Sequence, residues 1–571
     1  MNKHKIPIVF VVLLFLQLNV SAQQKRTIDF IGGARSFISN NRIHVQDSIP
    51  DTTTIKRNTG GYALIDLGLD IRPNKSTEIL GMFRIRNNYG GFWGSGVSFD
   101  VRQLWLKGII GNVVRYQVGD LNLQQSPYTL FNHHADKIDS LPAIFNLQNQ
   151  LISYEKYYQK NTWHQQGVNA DFGLTFSKIV KEIDFTGYLT RLLATNFSTT
   201  PDRLMGGFST KVIQSKHFSF GYNYFSVFDV KGTVLDSNTY NNNVNTVSLA
   251  YTSNIGSKQL ELKAELGSSR AEYSQFIEAS QLKDKFINAS AKLLIPKQHL
   301  ALTLGYMNVG PDFRSIGAQS KDVNYNFIPG YFNTIGNNQS FRAVDLFDVI
   351  RNENIYNAGV SVNLMAVNPV YNNALPYGEA TFNREGIFAK ASYNSPKGIF
   401  INAEHHYLSE IRGQGTYQLK KFSVTKILAS VDVNTIAHFT RLMRIQFGMN
   451  SQSTNRTSNA EVDNVKLNTT LYQAGIEYEI IPKVDLLFGI TGVNCKGNEF
   501  TTERNAYSKA EYFTRNSYDL TQQISALGFR FRFDAKTNLS AVYQSSNNQD
   551  KLNMSPDYQT DQFALIFNMT F

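Results

Sequence analysis

Between Gln259 and Gly267, apolar and polar side chains alternate one by one: Leu260, Leu262, Ala264 and Leu266 against Glu261, Lys263 and Glu265. Successive side chains of a strand point to opposite faces, so this segment predicts a strand with one apolar and one charged face. The period recurs along the chain. Val114, Tyr116 and Val118 alternate with Arg115, Gln117 and Gly119; Ile79, Phe83 and Ile85 oppose Arg84 and Arg86; Ile65, Leu67 and Leu69 oppose Asp66 and Asp70. Tyr472, Ala474, Ile476 and Tyr478 alternate with Gln473, Gly475, Glu477 and Glu479. Over 399–410, Asn402, Glu404, His406 and Glu410 share one polar face. A soluble sandwich would need a dry interior. A recurrent charged face opposite an apolar one fits a membrane barrel, with lipid outside and water inside.

Two segments slip phase. The apolar set moves from Val97, Phe99 and Val101 to Leu104 and Leu106 around Gln103, and a similar change occurs near Ser525. A bulge, one extra residue that re-aims the side chains beyond it, predicts such slips. Tight-turn compositions stand at Pro73-Asn74-Lys75, Gly111-Asn112, Ser215-Lys216-His217, Pro296-Lys297-Gln298, Pro396-Lys397-Gly398 and Ala535-Lys536. Longer polar stretches, such as 269–284 and 452–465, separate them. Short periplasmic turns alternating with longer outer loops make an antiparallel up-and-down barrel of about 22 strands, with 20 to 24 the expected range. The first strand is expected near 27–38 and the last near 559–571, where Phe563, Leu565, Phe567, Met569 and Phe571 alternate with other residues. Tyr188, Tyr222, Tyr224, Tyr407 and Tyr543 are candidates for the interfacial aromatic girdle.

Lys3, His4 and Lys5 precede an apolar run over 6–18 and the small residues Val20, Ser21 and Ala22. This is expected to be a secretory signal peptide over 1–22, cleaved after Ala22, because the run is shorter than the ~20 residues of a spanning helix. The barrel then occupies 23–571 as a single domain. Strand-like alternation begins near Thr27, which leaves no room for a folded N-terminal plug. The expected fillers of so wide a barrel are two long loops near 122–165 and 310–377. Tyr128, Phe131, Leu141 and Phe145 in the first, and Phe313, Tyr325, Phe327, Tyr331, Phe332, Phe341 and Phe347 in the second, are unlike disordered sequence. Both loops should therefore fold, inward as a constriction or upward as a cap, with a short strand near 355–364.

Composition narrows the function. The chain has 40 Phe and 29 Tyr but only 18% charged residues, against a typical ~25%. The net charge of +11 is scattered without a basic block, so nucleic acid is not an expected partner. Basic residues at a rim would meet lipopolysaccharide phosphates, and in a lumen they would favour anions. The single cysteine, Cys495, permits no disulfide within the chain and suggests a small residue near a strand end. His133, His134 and Asp136 are not expected to form a zinc site, which needs three or four converging ligands, because adjacent His residues on a strand point apart. No Gly-x-Ser-x-Gly elbow or His-Glu-x-x-His motif is present, so neither enzyme activity nor a cofactor is expected. Asp47-Ser48-Ile49 and Asp139-Ser140-Leu141 are similar to an O-glycosylation acceptor pattern of Bacteroidota.

The leader, the Asn- and Tyr-rich alternating strands and the terminal Phe571 together resemble the large plug-less, porin-like outer-membrane barrels of Bacteroidota. The resemblance spans the mature chain and carries no functional residues with it. It implies an outer-membrane location in a Gram-negative bacterium, contact with outer-membrane lipids and lipopolysaccharide, and insertion by the barrel-assembly machinery through a terminal signal at Phe567 and Phe571. The expected function is a channel or transporter for small hydrophilic or amphiphilic solutes. Its lumen would be lined by Arg84, Arg86, Arg115, Glu261, Lys263, Glu265, Glu404, His406, Glu477 and Glu479. The alternative is a non-catalytic structural or docking subunit of a surface or secretion complex, whose loops would hold a protein partner.

Overall fold

A computed structural model describes residues 27–45, 57–89, 97–131, 142–147, 164–198, 201–233, 239–274, 279–319, 369–504, 510–552 and 558–571. Twenty-two antiparallel strands follow one another around a single closed sheet. The first, β1 (Ile28–Val45), pairs with both β2 (Arg57–Asn74) and β22 (Tyr558–Thr570). The closing seam runs from Gly33 opposite Thr570 to Val45 opposite Tyr558. Gly32 and Phe571 finish it by exchanging backbone hydrogen bonds of 3.1 and 3.0 Å. Closure removes the unpaired edges that an open sheet could not carry in lipid.

Among the described residues, the tight turns lie at one end of the barrel. At Gly111-Asn112 both residues take positive φ, 60° and 58°, the twist-matched hairpin turn that Gly and Asn adopt most readily. Five of the six turns expected from the sequence fall between strands. At the remaining one, β2 runs through Asn74 and the turn is Lys75-Ser76. The opposite end carries the long connections. Between β5 (Val114–Asn122) and β6 (His164–Thr175) lies the first long loop. The second joins β13 (Leu300–Val309) to β14 (Arg384–Ser395), so it ends at residue 383 rather than at 377.

The outer face carries the apolar set. On β10 (Thr239–Ile255) and β11 (Lys258–Ser274), Val247, Leu249, Tyr251 and Ile255 lie beside Leu262 and Leu266. The rise from Val247 to Ile255 is about 26 Å along the strand. At the usual tilt that is roughly 20 Å of height, close to the ~25 Å apolar band of membrane barrels. Beyond Val247 the outer face turns polar while the strands continue. Two expected loops are shorter for this reason. Residues 269–284 are not a loop: β11 runs to Ser274 and β12 spans Ala279–Ile295. Likewise β17 (Met443–Arg456) and β18 (Val465–Ile481) leave only 457–464 between them. Past the apolar band the outer face is polar while inner positions such as Ala271 and Tyr273 are apolar, so the outward-apolar, inward-polar pattern no longer holds.

The slip at Gln103 is a bulge. Between β3 (Thr77–Asn88) and β4 (Val97–Ile110), Met82 pairs with Gln103 but Phe83 pairs with Val101, which leaves Arg102 over. The slip near Ser525 is not a bulge. Along β20 (Ala510–Arg532) the register is continuous through that residue, and Ile524 and Ala526 point inward against loop residues 144–147. Tyr188 does not belong to the girdle either. It is buried inside the barrel, where its hydroxyl donates to Gln125 Oε1 at 3.0 Å, whereas Tyr407 and Tyr543 are exposed on the outer face. Cys495 is buried well inside β19 (Val484–Arg504), not near a strand end.

Candidate functional site

The inner wall divides into two zones. Toward the short-turn end it carries charged pairs of both signs. Arg72 contacts Asp70, Asp29 and Glu78. Arg84 holds Asp66 through two bonds, Nε to Oδ1 at 2.7 Å and Nη2 to Oδ2 at 2.6 Å, and both side chains are buried. Arg115 pairs with Asp171 at 2.5 Å. Glu261 lies 3.8 Å from Lys263 and 3.9 Å from Lys292. Glu404 contacts His406 and lies 3.5 Å from Lys390. On the far side Arg530 bridges Glu477 and Asp485, while Arg532 bridges Glu479 and Asp485. A charge held in a narrow, partly dry space needs an opposite charge, and the strand register supplies one from a neighbour in most cases.

Toward the long-loop end the inner wall packs against the two long loops through an apolar cluster and through buried polar groups, among them the Lys420–Glu499 pair at 2.6 Å. Tyr128 of the first loop is fully buried, stacked on Phe286 of β12 at 3.7 Å between ring centroids and edge-on to Phe313 of the second loop at 6.4 Å. The loops are tied to each other. The Phe131 N–H donates to the Gly317 carbonyl at 3.0 Å, and Ser315 Oγ donates to the Thr129 carbonyl at 3.2 Å. Within the second loop, Gln319 Nε2 donates to the Ala380 carbonyl at 3.0 Å. The loops are also tied to the wall. Asn242 of β10 accepts from the Ile316 N–H at 2.9 Å and donates to the Arg314 carbonyl at 2.9 Å. Asn373 donates to Glu499 at 2.5 Å and Thr454 at 2.9 Å.

The first loop has a second anchor on the opposite wall. A helical turn over 143–147 packs Ile144, Phe145 and Leu147 against Phe37, Leu487, Ile524, Val542 and Ile566. Glycines make room for it. Gly475 and Gly489 face each other across β18 and β19; a Cβ on the first would lie 2.4 Å from Pro142, and on the second 2.6 Å from Ile144. Gly317 sits equally close to the Phe225 ring and the Thr129 carbonyl.

The two zones meet at Glu379, carried on a helical turn of the second loop, Gly378–Ala380. Asn288 Nδ2 donates both to Glu379 Oε2 at 2.9 Å and to the Tyr128 hydroxyl at 2.8 Å. Burial pushes the Glu379 carboxyl above its ordinary range; attraction to Lys390 pulls the other way, and repulsion from Glu404 adds to the rise. Glu265, beside Ser126 and Thr246, and Glu404 complete an acidic cluster at this boundary.

The ten residues expected from the sequence to line the lumen lie on inward strand positions but in different settings. Arg115 and Lys263 are the most open, with side chains 71% and 66% exposed. Glu261, Glu404, His406, Glu477 and Glu479 are partly or fully covered within the pairs above, and Glu265 sits in the acidic cluster. Arg84 and Arg86 are buried, Arg86 lying 4.0 Å over the Tyr62 ring, so they brace the wall. Sequence reasoning missed Glu379, Asn288, Asn242 and the glycine pair. Only the glycines left a signal, as two Gly on adjacent strands in otherwise regular alternation. His133, His134, Asp136, the two Asp-Ser triplets, the leader, the segment 355–364 and the aromatics from Tyr325 to Phe347 lie outside the described residues. Among the described residues, no group of three or more His, Cys, Asp or Glu is placed to hold a metal ion.

No protein-family model matches the sequence, and no curated protein matches it. Among solved structures, Pseudomonas aeruginosa OccK5 (OpdH) is similar at 10% identity, over 95% of this chain and 98% of that one, with a TM-score of 0.36. OccK11 (OpdR) of the same organism is similar at 8% identity, with 95% and 96% coverage and a TM-score of 0.35. The P pilus usher (PapC) translocation pore is similar at 7% identity, with 95% and 100% coverage and a TM-score of 0.37. No residue correspondence follows at that level, so function has to be read from the barrel interior.

Proposed function

We propose that this barrel is a non-enzymatic outer-membrane channel for small hydrophilic or amphiphilic solutes, gated by its two infolded loops. The observation that carries the reading is the open, charged surface of the inner wall toward the short-turn end. Here the short-turn half is ringed by charges, and Arg115 and Lys263 keep most of their side-chain surface open to the lumen. Charges of both signs around a wide lumen filter weakly by sign and keep the path hydrated. The loops, tied to each other and to the wall, set the constriction. The short-turn end would face the periplasm and the long-loop end the exterior. Phe567 and Phe571, on the strand that closes the seam, would serve as the signal read by the assembly machinery.

The test is ion selectivity. In a salt gradient across a planar bilayer, the double variant Arg115→Glu with Lys263→Glu should shift the reversal potential toward cation preference. An unchanged reversal potential in a conducting, correctly inserted variant would remove these residues from the path. The multiple ties between the loops favour a closed resting state. They therefore support a second reading, a docking subunit that does not conduct, under which no variant of the wall charges would alter any current.

A further inference from the structure

A cavity of about 900 Å³ lies near the long-loop end, lined chiefly by outward residues of the wall and at its edge by the inward Asp229 and Tyr240. Its location follows from the strand register. In the row just beyond the apolar band, Tyr224 of β9 (Phe218–Asp229) lies beside Asn245 of β10 and Ser268 of β11. One row further, Ser226, Asn243 and Arg270 are neighbours, and the next row brings together Phe228, Asn241 and Glu272. All are outward positions, because Phe225, Val227, Asn242, Val244, Ala271 and Tyr273 between them are buried inside. The floor is low where Gly206 of β8 (Arg203–Ile213) pairs with Ser226.

The walls are polar and aromatic, and their two carboxylates are neutralised, Glu272 by Arg270 and Asp229 by Arg203. Asn243 Oδ1 accepts from the Tyr224 hydroxyl at 3.0 Å and from Ser226 Oγ at 2.7 Å, which leaves its amide N–H groups for a ligand. Asn241 Oδ1 is shielded from solvent and has no partner among the described residues. Such an atom in a pocket wall usually signals a missing donor. Phe228 offers an apolar surface beside these amides. Amides next to a ring are the donor set that hydroxyl-rich rings need, since one sugar face is apolar and its edge bears hydroxyls. In the same rows, Arg270 is followed on β12 by Lys283, with Lys285 one row nearer the apolar band. Both lysines are exposed, and neither pairs with a carboxylate among the described residues.

Height decides the ligand. The cavity lies two to six residues past Val247, roughly 7–20 Å along the strand beyond the apolar band. At the usual tilt that is roughly 5–15 Å of height, which spans the lipid headgroups and the sugar layer just above them, reached from the side. We infer that this outer-wall pocket binds the phosphorylated sugar headgroup of an outer-leaflet glycolipid, with Asn241 and Asn243 on the sugar and Lys283 and Lys285 toward the phosphate. The inference rests on the outer-membrane placement proposed above but not on conduction.

The test counts glycolipids that survive detergent extraction of the full mature barrel, by native mass spectrometry, after incubation with purified rough-type lipopolysaccharide. One tightly held glycolipid per barrel is expected. Its retention should fall at least tenfold in Asn241→Ala with Asn243→Ala, and in Lys283→Ala with Lys285→Ala. The lysine variant changes only exposed side chains, so a heat-modifiable gel shift should report it folded. Equal retention by folded variants would overturn the assignment. Displacement by free core oligosaccharide as readily as by intact glycolipid would overturn the lipid-borne source. Conductance of the same variants should be unaltered, so a failed channel reading and a failed pocket reading give different results.

Discussion

Truncating Tyr128 should open the barrel without unfolding it. The side chain is fully buried, stacked on Phe286 at 3.7 Å, edge-on to Phe313, and hydrogen-bonded through its hydroxyl to Asn288 at 2.8 Å. Replacing a buried aromatic by alanine costs ~3–5 kcal/mol. In most proteins that cost falls on global stability. Here Tyr128 joins a loop to the wall, while the wall has its own closed ladder of strand hydrogen bonds. The cost therefore falls mainly on loop seating. At ~1.4 kcal/mol per factor of ten, a loss of ~3 kcal/mol lowers the seated-to-released ratio roughly 150-fold. Limited chymotrypsin digestion of the detergent-solubilised barrel reads this directly. Residues 123–131 of the wild-type loop should resist cleavage, and in Tyr128→Ala the chain should be cut quickly at Leu130 or Phe131 while the strands survive. The same preparation in a bilayer should show longer or larger openings. A folded Tyr128→Ala barrel with wild-type cleavage and wild-type current would refute the idea that this contact seats the gate.

Three further outcomes are expected. Glu379 has its carboxyl pKa raised by burial in the seated loop, so seating is strongest when the acid is neutral. As pH rises through the ordinary value of 4.5, the group ionises more readily in the released loop than in the seated one. The loop should therefore loosen from about that pH until the seated group itself titrates, with more open time near neutral pH than at acid pH and a shallower profile in Glu379→Gln. Arg84→Ala strands Asp66 as a buried, unpaired charge and should lower barrel stability by ~3–5 kcal/mol in denaturant unfolding, with Asp66→Ala in the same chain restoring part of the loss. Gly489→Val should expel the helical turn over 143–147, because the added side chain meets Ile144 and Phe145. New protease cleavage beside that turn would report the expulsion, and unaltered digestion would contradict the packing.

Most of the wall was legible in the sequence, because a strand crossing lipid with water on its other side has to alternate. Leu260 to Leu266 and Ile65 to Asp70 show that period without interruption. The interior filling was legible only in outline. Tyr128 and Phe313 marked the loops as folded, but nothing local says which wall a loop residue will meet. Ile524 shows the cost of that gap. An inward apolar residue reads as a slipped phase until residues 144–147 are seen packed against it. The outer pocket was hidden for a different reason. Above the apolar band the outer face turns polar while inner positions such as Ala271 and Tyr273 pack against the loops, so the membrane-type alternation is lost and 269–284 reads as a loop, although most of it belongs to two strands carrying Arg270, Glu272 and Lys283 outward. Asn242, Asn288 and Glu379 act through partners far away in sequence, and single polar residues of this kind leave no periodic trace.

The most direct test of a loop-gated channel is single-channel recording of the unaltered mature barrel in a planar bilayer. Brief, discrete, salt-dependent openings from a mostly closed baseline are expected, because the loops are seated in the resting structure and the wall beneath them is charged. A current that never rises above baseline, with correctly folded insertion verified in the same membranes, would contradict the channel and leave the docking subunit.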